Sequence, residues 1–146
     1  MTSWTEFSQQ APELAEFGQA RFQSGVAYLA TLRADGSPRV HPVTPIIGEQ
    51  LFLFMEPTSP KGQDLTRDDR YTLHCAVEDS NGGGGEFYVR GRAALSTDRL
   101  IREQAARAAT YVPQDRYILF VLSFEFAFMN RYVDGQPNFK RWPAPA

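Results

Sequence analysis

The sequence has little cysteine, histidine and lysine, and it contains no long apolar segment. Its 146 residues include one cysteine, Cys75, which can form no disulfide within the chain and lies in an apolar run. A single cysteine without a disulfide partner is typical of proteins in a reducing compartment. No apolar run is long enough to cross a bilayer, and no secretory signal pattern is present. We therefore expect a cytoplasmic protein with no membrane partner.

The balance of charge argues against nucleic acid as a partner. Fifteen basic residues, thirteen of them arginine, are outnumbered by 17 acidic residues, and the net charge is −2. A chain of this charge has no general attraction to a phosphate backbone. Arg90 and Arg92 lie on one face of a predicted strand, where they either neutralise an anionic substrate or, as we favour, pair with acids across the sheet.

The two histidines give no support for a bound metal. His74 and Cys75 are adjacent on a predicted strand, so they point to opposite faces and cannot jointly hold one ion. His41, beside Pro42, is either a partly exposed strand residue or a residue that faces a bound ligand. No nucleophile, base and orienting residue stand out as a set.

Length and composition indicate a single domain over residues 1–146. A hydrophobic fraction of 42% and an aromatic fraction of 13% are those of a globular chain with a substantial core. The eleven phenylalanines and six tyrosines favour strands.

Three helices are predicted at fixed places in the chain. Ser3 and Glu6 have the spacing of a capping box. An amphipathic helix follows over residues 11–23, with Pro12 in its first turn. Another begins with Thr97 as its N-cap and stops before Val112 and Pro113.

Six strands are predicted, and most are joined by turns of hairpin length, such as Asp35-Gly36. In the last strand, Ile118 and every second residue up to Phe128 share one face, with a bend or bulge expected because of its length. The tail from Asp134 is expected to be an irregular arm, with Trp142 and Phe139 stapling it to the sheet. The predicted strands are 26–33, 38–46, 51–56, 70–78, 86–95 and the strand that begins at 118.

The second predicted strand contains two prolines, Pro42 and Pro45, which cannot donate to a ladder. It must therefore lie at an edge, be bulged, or face something other than a neighbouring strand. An antiparallel sheet with helices at its periphery hides its edges best by closing on itself. The predicted fold is mainly β, a six-stranded antiparallel barrel with peripheral helices.

The turn over residues 59–62 is a candidate anion site, because it leads into a short helix. Ser59, Lys61 and the amides around Gly62 would combine the partial positive charge of a helix N-terminus with the full charge of a lysine. A phosphate group suits such a site. The alternative is a solvated helix cap, since serine is common at the N-cap position.

The same segment, SPKGQDLTRDDRYTL at residues 59–73, resembles the S-R-K-G-x-x-L-x-x-N-P-x-A-x-L segment of the pyridoxamine 5'-phosphate oxidase-like proteins, the FMN-binding split barrels. The preceding YLATLRADGSPRVHPV, at residues 28–43, is similar to the strand, hairpin and strand that come before that segment in the family. The resemblance covers about residues 26–95. The residues of the segment that match outright are Ser59, Lys61, Gly62, Leu65 and Leu73.

The resemblance implies a split β-barrel that forms a homodimer, with one FMN in each of two clefts between the subunits. It implies that Ser59 and Lys61, next to Gly62, hold the 5'-phosphate, and that Glu86 lies where the partner subunit contributes a polar group to the cofactor. The residues that would line the flavin ring and ribityl chain are Arg39, Val40, His41, Pro42, Val43 and Thr44.

Departures from the family pattern limit what the resemblance implies. Pro60 replaces the arginine of the phosphate pair, and Thr44 stands where the vitamin B6 oxidase has a lysine. The C-terminal substrate motif of the R-L-H-D-R type is also absent. The chain is therefore similar to the shorter members of the superfamily, which include FMN-binding reductases, members that use the deazaflavin F420, and proteins of the general stress group.

The expected function is that of an FMN-dependent oxidoreductase acting on an unidentified small molecule. The lack of a catalytic set of side chains is consistent with flavin chemistry, in which the cofactor transfers the hydride. The alternatives are a non-catalytic flavin-binding or stress-response dimer and an F420-dependent reductase.

Overall fold

The computed structural model describes residues 1–145. These residues form four helices and one curled antiparallel sheet of eight strands. The helices are α1 (Trp4–Gln10), α2 (Pro12–Gln23), α3 (Pro60–Arg67) and α4 (Arg99–Ala108). The strands are β1 (Ala27–Leu32), β2 (Pro38–Val43), β3 (Ile46–Ile47), β4 (Leu51–Met55), β5 (Arg70–Cys75), β6 (Glu86–Ser96), β7 (Ile118–Val133) and β8 (Gln136–Trp142).

The helices begin close to the predicted positions. The Ser3 side chain accepts a hydrogen bond from the Glu6 amide, which confirms the capping signal. The start of α4 was predicted one residue too early: Asp98, not Thr97, is the N-cap, because its carboxylate accepts from the amides of Leu100 and Ile101. Within residues 1–145, no helix has the length and apolar character needed to span a membrane.

The sheet is split rather than closed. Its strands follow the order β2-β1-β5-β6-β7-β4-β3, and β8 pairs with β7 outside this path. The ends of the path, β2 and β3, are consecutive in sequence but separated by Thr44 and Pro45. Proline has no N–H to contribute to a ladder, so the chain leaves one strand here and starts another. The mainly β, split-barrel fold is confirmed, whereas full closure of the sheet was a wrong expectation.

Two strands were missing from the prediction of six. The predicted second strand divides at the split into β2 and the two-residue β3. The tail, predicted to be irregular, is the strand β8, which pairs with β7 through a turn at Asp134 and Gly135. Both turn residues have positive φ, 52° and 75°, as a tight hairpin requires.

A bulge in β7 changes which face of the sheet its phenylalanines occupy. Arg90 pairs with Phe126 and Gly91 pairs with Phe124, so Glu125 is the extra residue. Before the bulge Phe124 is buried in the core, and after it Phe126 and Phe128 face outward. The predicted bulge is confirmed, but the prediction of a single face through Phe128 was wrong, since one inserted residue reverses the alternation.

The main core lies between the inner face of the sheet and the first two helices. The rings of Trp4, Phe7 and Phe22 meet those of Phe87 and Phe124 mostly at steep angles, with ring centroids 5.0 to 6.3 Å apart. Edge-to-face pairs of this kind add to the free energy of burial. A second cluster fixes α4 on β3 and β4. Its buried members are Ile46, Phe52, Ala105 and Leu119.

The C-terminal strand is anchored by Trp142. Its ring lies 5.3 Å from that of Phe7, and its indole N–H donates to the Gln10 side chain over 3.2 Å. The expected staple is confirmed for Trp142. Phe139 does not share it, because its side chain is on the exposed face of the sheet.

Gly91 at the bulge tests how much the fold depends on the close approach of β6 and β7. A methyl group there would collide with the Ser123 carbonyl oxygen and the Phe124 backbone. We expect Gly91→Ala to lower the free energy of unfolding by about 2–4 kcal/mol, as measured by urea denaturation. Gly25→Ala, where an added methyl meets open space, is the control and should change it by less than about 1 kcal/mol. Equal effects of the two substitutions would contradict this account.

Candidate functional site

Strand β2 has a ladder on one side only, with β1. Its side chains alternate, so Arg39, His41 and Val43 are partly buried, whereas Val40 and Pro42 are exposed on the outer face. The residues predicted to line a cofactor along this strand therefore fall into an inner and an outer group. The strand's free edge leaves backbone groups available to a ligand.

The turn before α3 is an ordered helix cap. The Ser59 hydroxyl accepts from the Gly62 amide over 3.2 Å, and Pro60 occupies the first helical turn. A side chain at Gly62 would come within 2.9 Å of that hydroxyl and 3.1 Å of the Met55 sulfur, which explains the glycine. The Gly62 amide is thus used within the cap, while the Ser59 O–H donates to no acceptor among residues 1–145.

Asp64 is the most buried charge near the cap. Its carboxylate accepts from the Thr31 hydroxyl at 2.8 Å, from Arg39 Nε at 2.7 Å and from Arg67 at 2.9 Å. Burial acts to raise the pKa of Asp64, but these donors outweigh it and the pKa is lowered. The carboxylate therefore stays ionised and joins α3 to both β1 and β2.

Lys61 lies on the same side of α3 as Asp64, because residues three apart share a helix face. Partial burial lowers the pKa of its ammonium group, and no other influence on it is found. Within residues 1–145 the ammonium donates to no acceptor. An anion placed against the ammonium group would stabilise its charged form and so oppose the effect of burial on its pKa.

His41 lies near both cations. Burial, followed by the charges of Lys61 and Arg39, lowers its pKa, and Asp64 opposes them only in part. Its Nε2 atom is buried and has no hydrogen-bond partner in the described part of the chain. Unpaired buried polar atoms are uncommon and mark a place where a ligand can supply the missing partner.

These side chains form the cationic cluster, which we define as Arg39, His41, Ser59 and Lys61. It includes residues from β2 and from the start of α3. Two positive charges, one hydroxyl donor and one unpaired imidazole nitrogen are suited to an anion with several oxygens, such as a phosphate.

Two other predicted residues lie apart from this cluster. Thr44 lines a cavity of about 580 Å³ at the split, beside Pro45 and Ile46. Glu86 is on β6, three strands away from β2, which at the usual spacing of strands is about 14 Å. Within one chain, two strands therefore lie between Glu86 and the strand that carries Arg39 and His41. A groove of about 710 Å³ lies elsewhere, between the α1–α2 junction and β8.

The remaining polar candidates have structural partners. Arg92 pairs with Asp69 at 2.7 Å, as we favoured, while Arg90 stacks over the Phe126 ring at 4.6 Å. The His74 ring faces outward and stacks on Tyr88. Cys75 is buried on the opposite side, where its sulfur accepts from the Phe87 amide.

The outer face of the sheet carries a row of rings that sequence patterns did not reveal as a unit. We call His74, Tyr88, Phe126, Phe128 and Phe139 the aromatic row; neighbouring rings are 5.3 to 5.9 Å apart. Phe139 is 61% exposed, and beyond the row Tyr28 and Val40 are 45% and 63% exposed. Partly buried rings next to exposed apolar side chains on one face favour a binding surface there.

Asp64 and Thr31 were also not predicted as members of the site. The position of Asp64, three residues after Lys61, is a signal that helical spacing could have used. Thr31 gave no such signal, because only the paired register of β1 and β2 places it opposite Arg39.

An antiparallel sheet, split after a proline-containing edge strand and flanked by a serine-capped helix that carries a lysine, defines a split-barrel domain with a cationic cluster at its edge. The chain belongs to the pyridoxamine 5'-phosphate oxidase family: the family model described as Pyridoxamine 5'-phosphate oxidase matches residues 11–128. No curated protein matches the sequence significantly.

Solved structures show the same fold at low sequence identity. A heme binding protein from Mycobacterium smegmatis has 20% identity and a TM-score of 0.69, with 88% of this chain and 58% of that chain covered. A NimC/NimA family protein from Clostridium acetobutylicum has 18% identity and a TM-score of 0.62, with 95% and 94% covered. General Stress Protein 26 from Bacillus anthracis has 17% identity and a TM-score of 0.60, with 86% and 96% covered. The chain thus spans less than two thirds of the length of the Mycobacterium smegmatis protein.

The two histidines should titrate on opposite sides of the usual value of 6.5. Burial and nearby cations lower the pKa of His41, whereas hydrogen bonding to Cys75 raises the pKa of His74 against the effect of burial. We expect two imidazole C2–H resonances in NMR spectra, with midpoints below and above 6.5, and His41→Gln to remove the lower one. The reverse order would contradict the geometry described for His41.

The lowered pKa of His41 also predicts how the stability of the fold changes with pH. Because the folded pKa of His41 is below its unfolded value, the unfolded chain takes up this proton first as the pH falls. The His41 contribution therefore destabilises the fold as the pH drops through 6.5, and His41→Gln should lose less stability than wild type between pH 7.5 and pH 5.5.

Proposed function

We propose that this protein is an FMN-binding oxidoreductase that holds the cofactor phosphate at the cationic cluster. The observation that carries the proposal is the cluster itself: Lys61 without an acceptor, an unpaired nitrogen on His41 and a serine hydroxyl, all at the edge strand of a fold shared with the pyridoxamine 5'-phosphate oxidase family. Bound flavin would supply hydride transfer, and the protein would supply position and charge.

The residues present fit a phosphate monoester. Lys61 and Arg39 provide positive charge from two different elements, and the Ser59 O–H is free to donate. Sequence comparison suggested that two cations of the family's phosphate site are missing at Pro60 and Thr44. Arg39 compensates in part, because its ion pair with Asp64 holds the guanidinium beside α3. Fewer cations at the cluster still distinguish this chain from the vitamin B6 oxidase.

We further propose that the active form is a homodimer in which the aromatic row faces a second copy. Glu86 begins the strand that carries Tyr88 and lies two residues before it, on the same face of the sheet. It lies three strands from β2 in its own chain, and in the proposed dimer each subunit would offer its Glu86 to the flavin held by the other subunit. Burying the exposed rings would supply the hydrophobic free energy for association.

The substrate is a small molecule that would enter the cleft between the subunits. The described side chains include no nucleophile with an attached base, so the reaction would be that of the flavin. A flavin-binding dimer without turnover and an F420-dependent reductase are the alternatives. Extraction of the cofactor followed by mass measurement identifies it, and reduction by NAD(P)H separates a catalyst from a binding protein.

A second candidate function is heme binding, which the name of the Mycobacterium smegmatis neighbour gives for that protein. One observation favours it here: the low pKa and unpaired Nε2 of His41 are those of a neutral imidazole able to ligate a metal. A heme absorption band that is lost in His41→Gln would support this candidate over the flavin.

Removal of the lysine charge should weaken binding of the phosphate end of the cofactor. We expect Lys61→Ala to raise the Kd for FMN about tenfold to a hundredfold, because charge-assisted bonds to phosphate are strong. Riboflavin, which lacks the phosphate, should bind both proteins equally. Arg99→Ala is the control, because it removes an exposed cation that pairs with Glu103 on α4. An unchanged Kd for FMN would count against the assignment.

A charge within the aromatic row should prevent dimer formation. Tyr88 has three ring neighbours in the row, so Tyr88→Glu would place an unpaired carboxylate in the proposed interface. We expect a dimer for wild type and a monomer with weakened FMN binding for this variant, measured by sedimentation and flavin fluorescence. Leu100→Glu, at a side chain 65% exposed on α4, should remain dimeric. A monomeric wild type would refute the interface.

A further inference from the structure

The buried Asp64 carboxylate uses both of its oxygens. Oδ2 accepts from the Thr31 hydroxyl and from Arg39 Nε, and Oδ1 accepts from Arg67. The side chain of Asp64 is 3% exposed, so it has exchanged water for these three donors. A neutral asparagine could not replace it, because its amide nitrogen would have to face one of the two arginines.

The bond to Asp64 determines how Arg39 is presented. A guanidinium group is planar and rigid, so fixing the Nε–H also fixes the direction of the terminal N–H groups. These terminal nitrogens donate to nothing within residues 1–145, and the Arg39 side chain is 24% exposed. The Nε–H of Arg39 is therefore held by Asp64, and the terminal nitrogens are available to a ligand.

The charges around Arg39 make this orientation necessary. Lys61 lies one helical turn before Asp64 on α3, and Asp64 is paired with Arg39 at 2.7 Å. The charges of Lys61 and Arg39 both act to lower the pKa of His41, and the charge of Asp64 opposes them. Asp64 supplies a permanent negative charge on one side of Arg39. The other side of Arg39 is open to an anionic ligand that binds reversibly.

We propose that Asp64 is a positioning residue that aims Arg39 at the phosphate of the bound cofactor and thereby sets the preference for phosphorylated over dephosphorylated flavin. This inference rests on the proposed function, since it assigns a role within the same site. Arg39 then acts as the second phosphate cation beside Lys61, in addition to any contact with the ribityl chain.

The test is the ratio of the Kd for riboflavin to the Kd for FMN, measured by flavin fluorescence. Wild type should prefer FMN. Asp64→Asn should reduce that preference about tenfold, as expected for loss of one charge-assisted contact, by raising the Kd for FMN more than the Kd for riboflavin. Arg67→Ala is the matched control: it also removes a partner of Asp64, but it leaves the pair with Arg39 and should keep the preference.

A double-mutant cycle separates positioning from folding. In the Arg39→Ala background no guanidinium remains to be aimed, so adding Asp64→Asn should cause no further change in the ratio. This double variant also leaves less uncompensated charge than Asp64→Asn alone, which keeps the cycle measurable if the single variant folds poorly.

The outcomes that overturn the inference differ from those that overturn the proposed function. If wild type binds FMN but no better than riboflavin, or binds neither, the phosphate site itself is wrong. If wild type prefers FMN and Asp64→Asn keeps that preference, or weakens both ligands equally, Asp64 has only a structural role. Additive effects of Arg39→Ala and Asp64→Asn on the ratio would also reject positioning.

Discussion

The architecture of this domain depends on two prolines near the split, which lack the backbone N–H groups that a β-ladder requires. Pro42 and Pro45 have no N–H, so the chain between β2 and β3 cannot extend a ladder across the gap. The sheet curls but stays open, and β2 remains an edge strand. That open edge is where Arg39 and His41 meet the capped end of α3. The carboxylate of Asp64 fastens α3 to this edge strand through Arg39.

Local patterns predicted the elements well because their causes are local. A capping serine, a proline in a first turn and an Asp-Gly hairpin each act within a few residues, and alternation within a strand depends on its immediate neighbours. The grouping of Ser59 and Lys61 was predictable for the same reason. The family segment added the fold and placed the site near β2.

Other features could not be predicted, because they depend on register between distant strands. The bulge at Glu125 was expected without a position, so Phe126 and Phe128 were assigned to the wrong face. The role of Asp64 depends on Thr31 and Arg39, 33 and 25 residues earlier in the chain. The strand β8 was missed because it contains Pro137 and is flanked by Gly135 and Pro143, which resemble an irregular tail, while pairing with β7 supplies the order that its own sequence lacks.

Strand β7 has a consequence for how the protein is made. It forms ladders with β4, β6 and β8, and Phe124 within it bridges to Thr2 near the start of the chain. These pairings join segments far apart in sequence, which slows folding because long loops must close first. On the ribosome, β1 to β6 emerge before the strand that joins the two halves of the sheet. The nascent chain must therefore keep its apolar strands from pairing wrongly until the last part of the message has been translated.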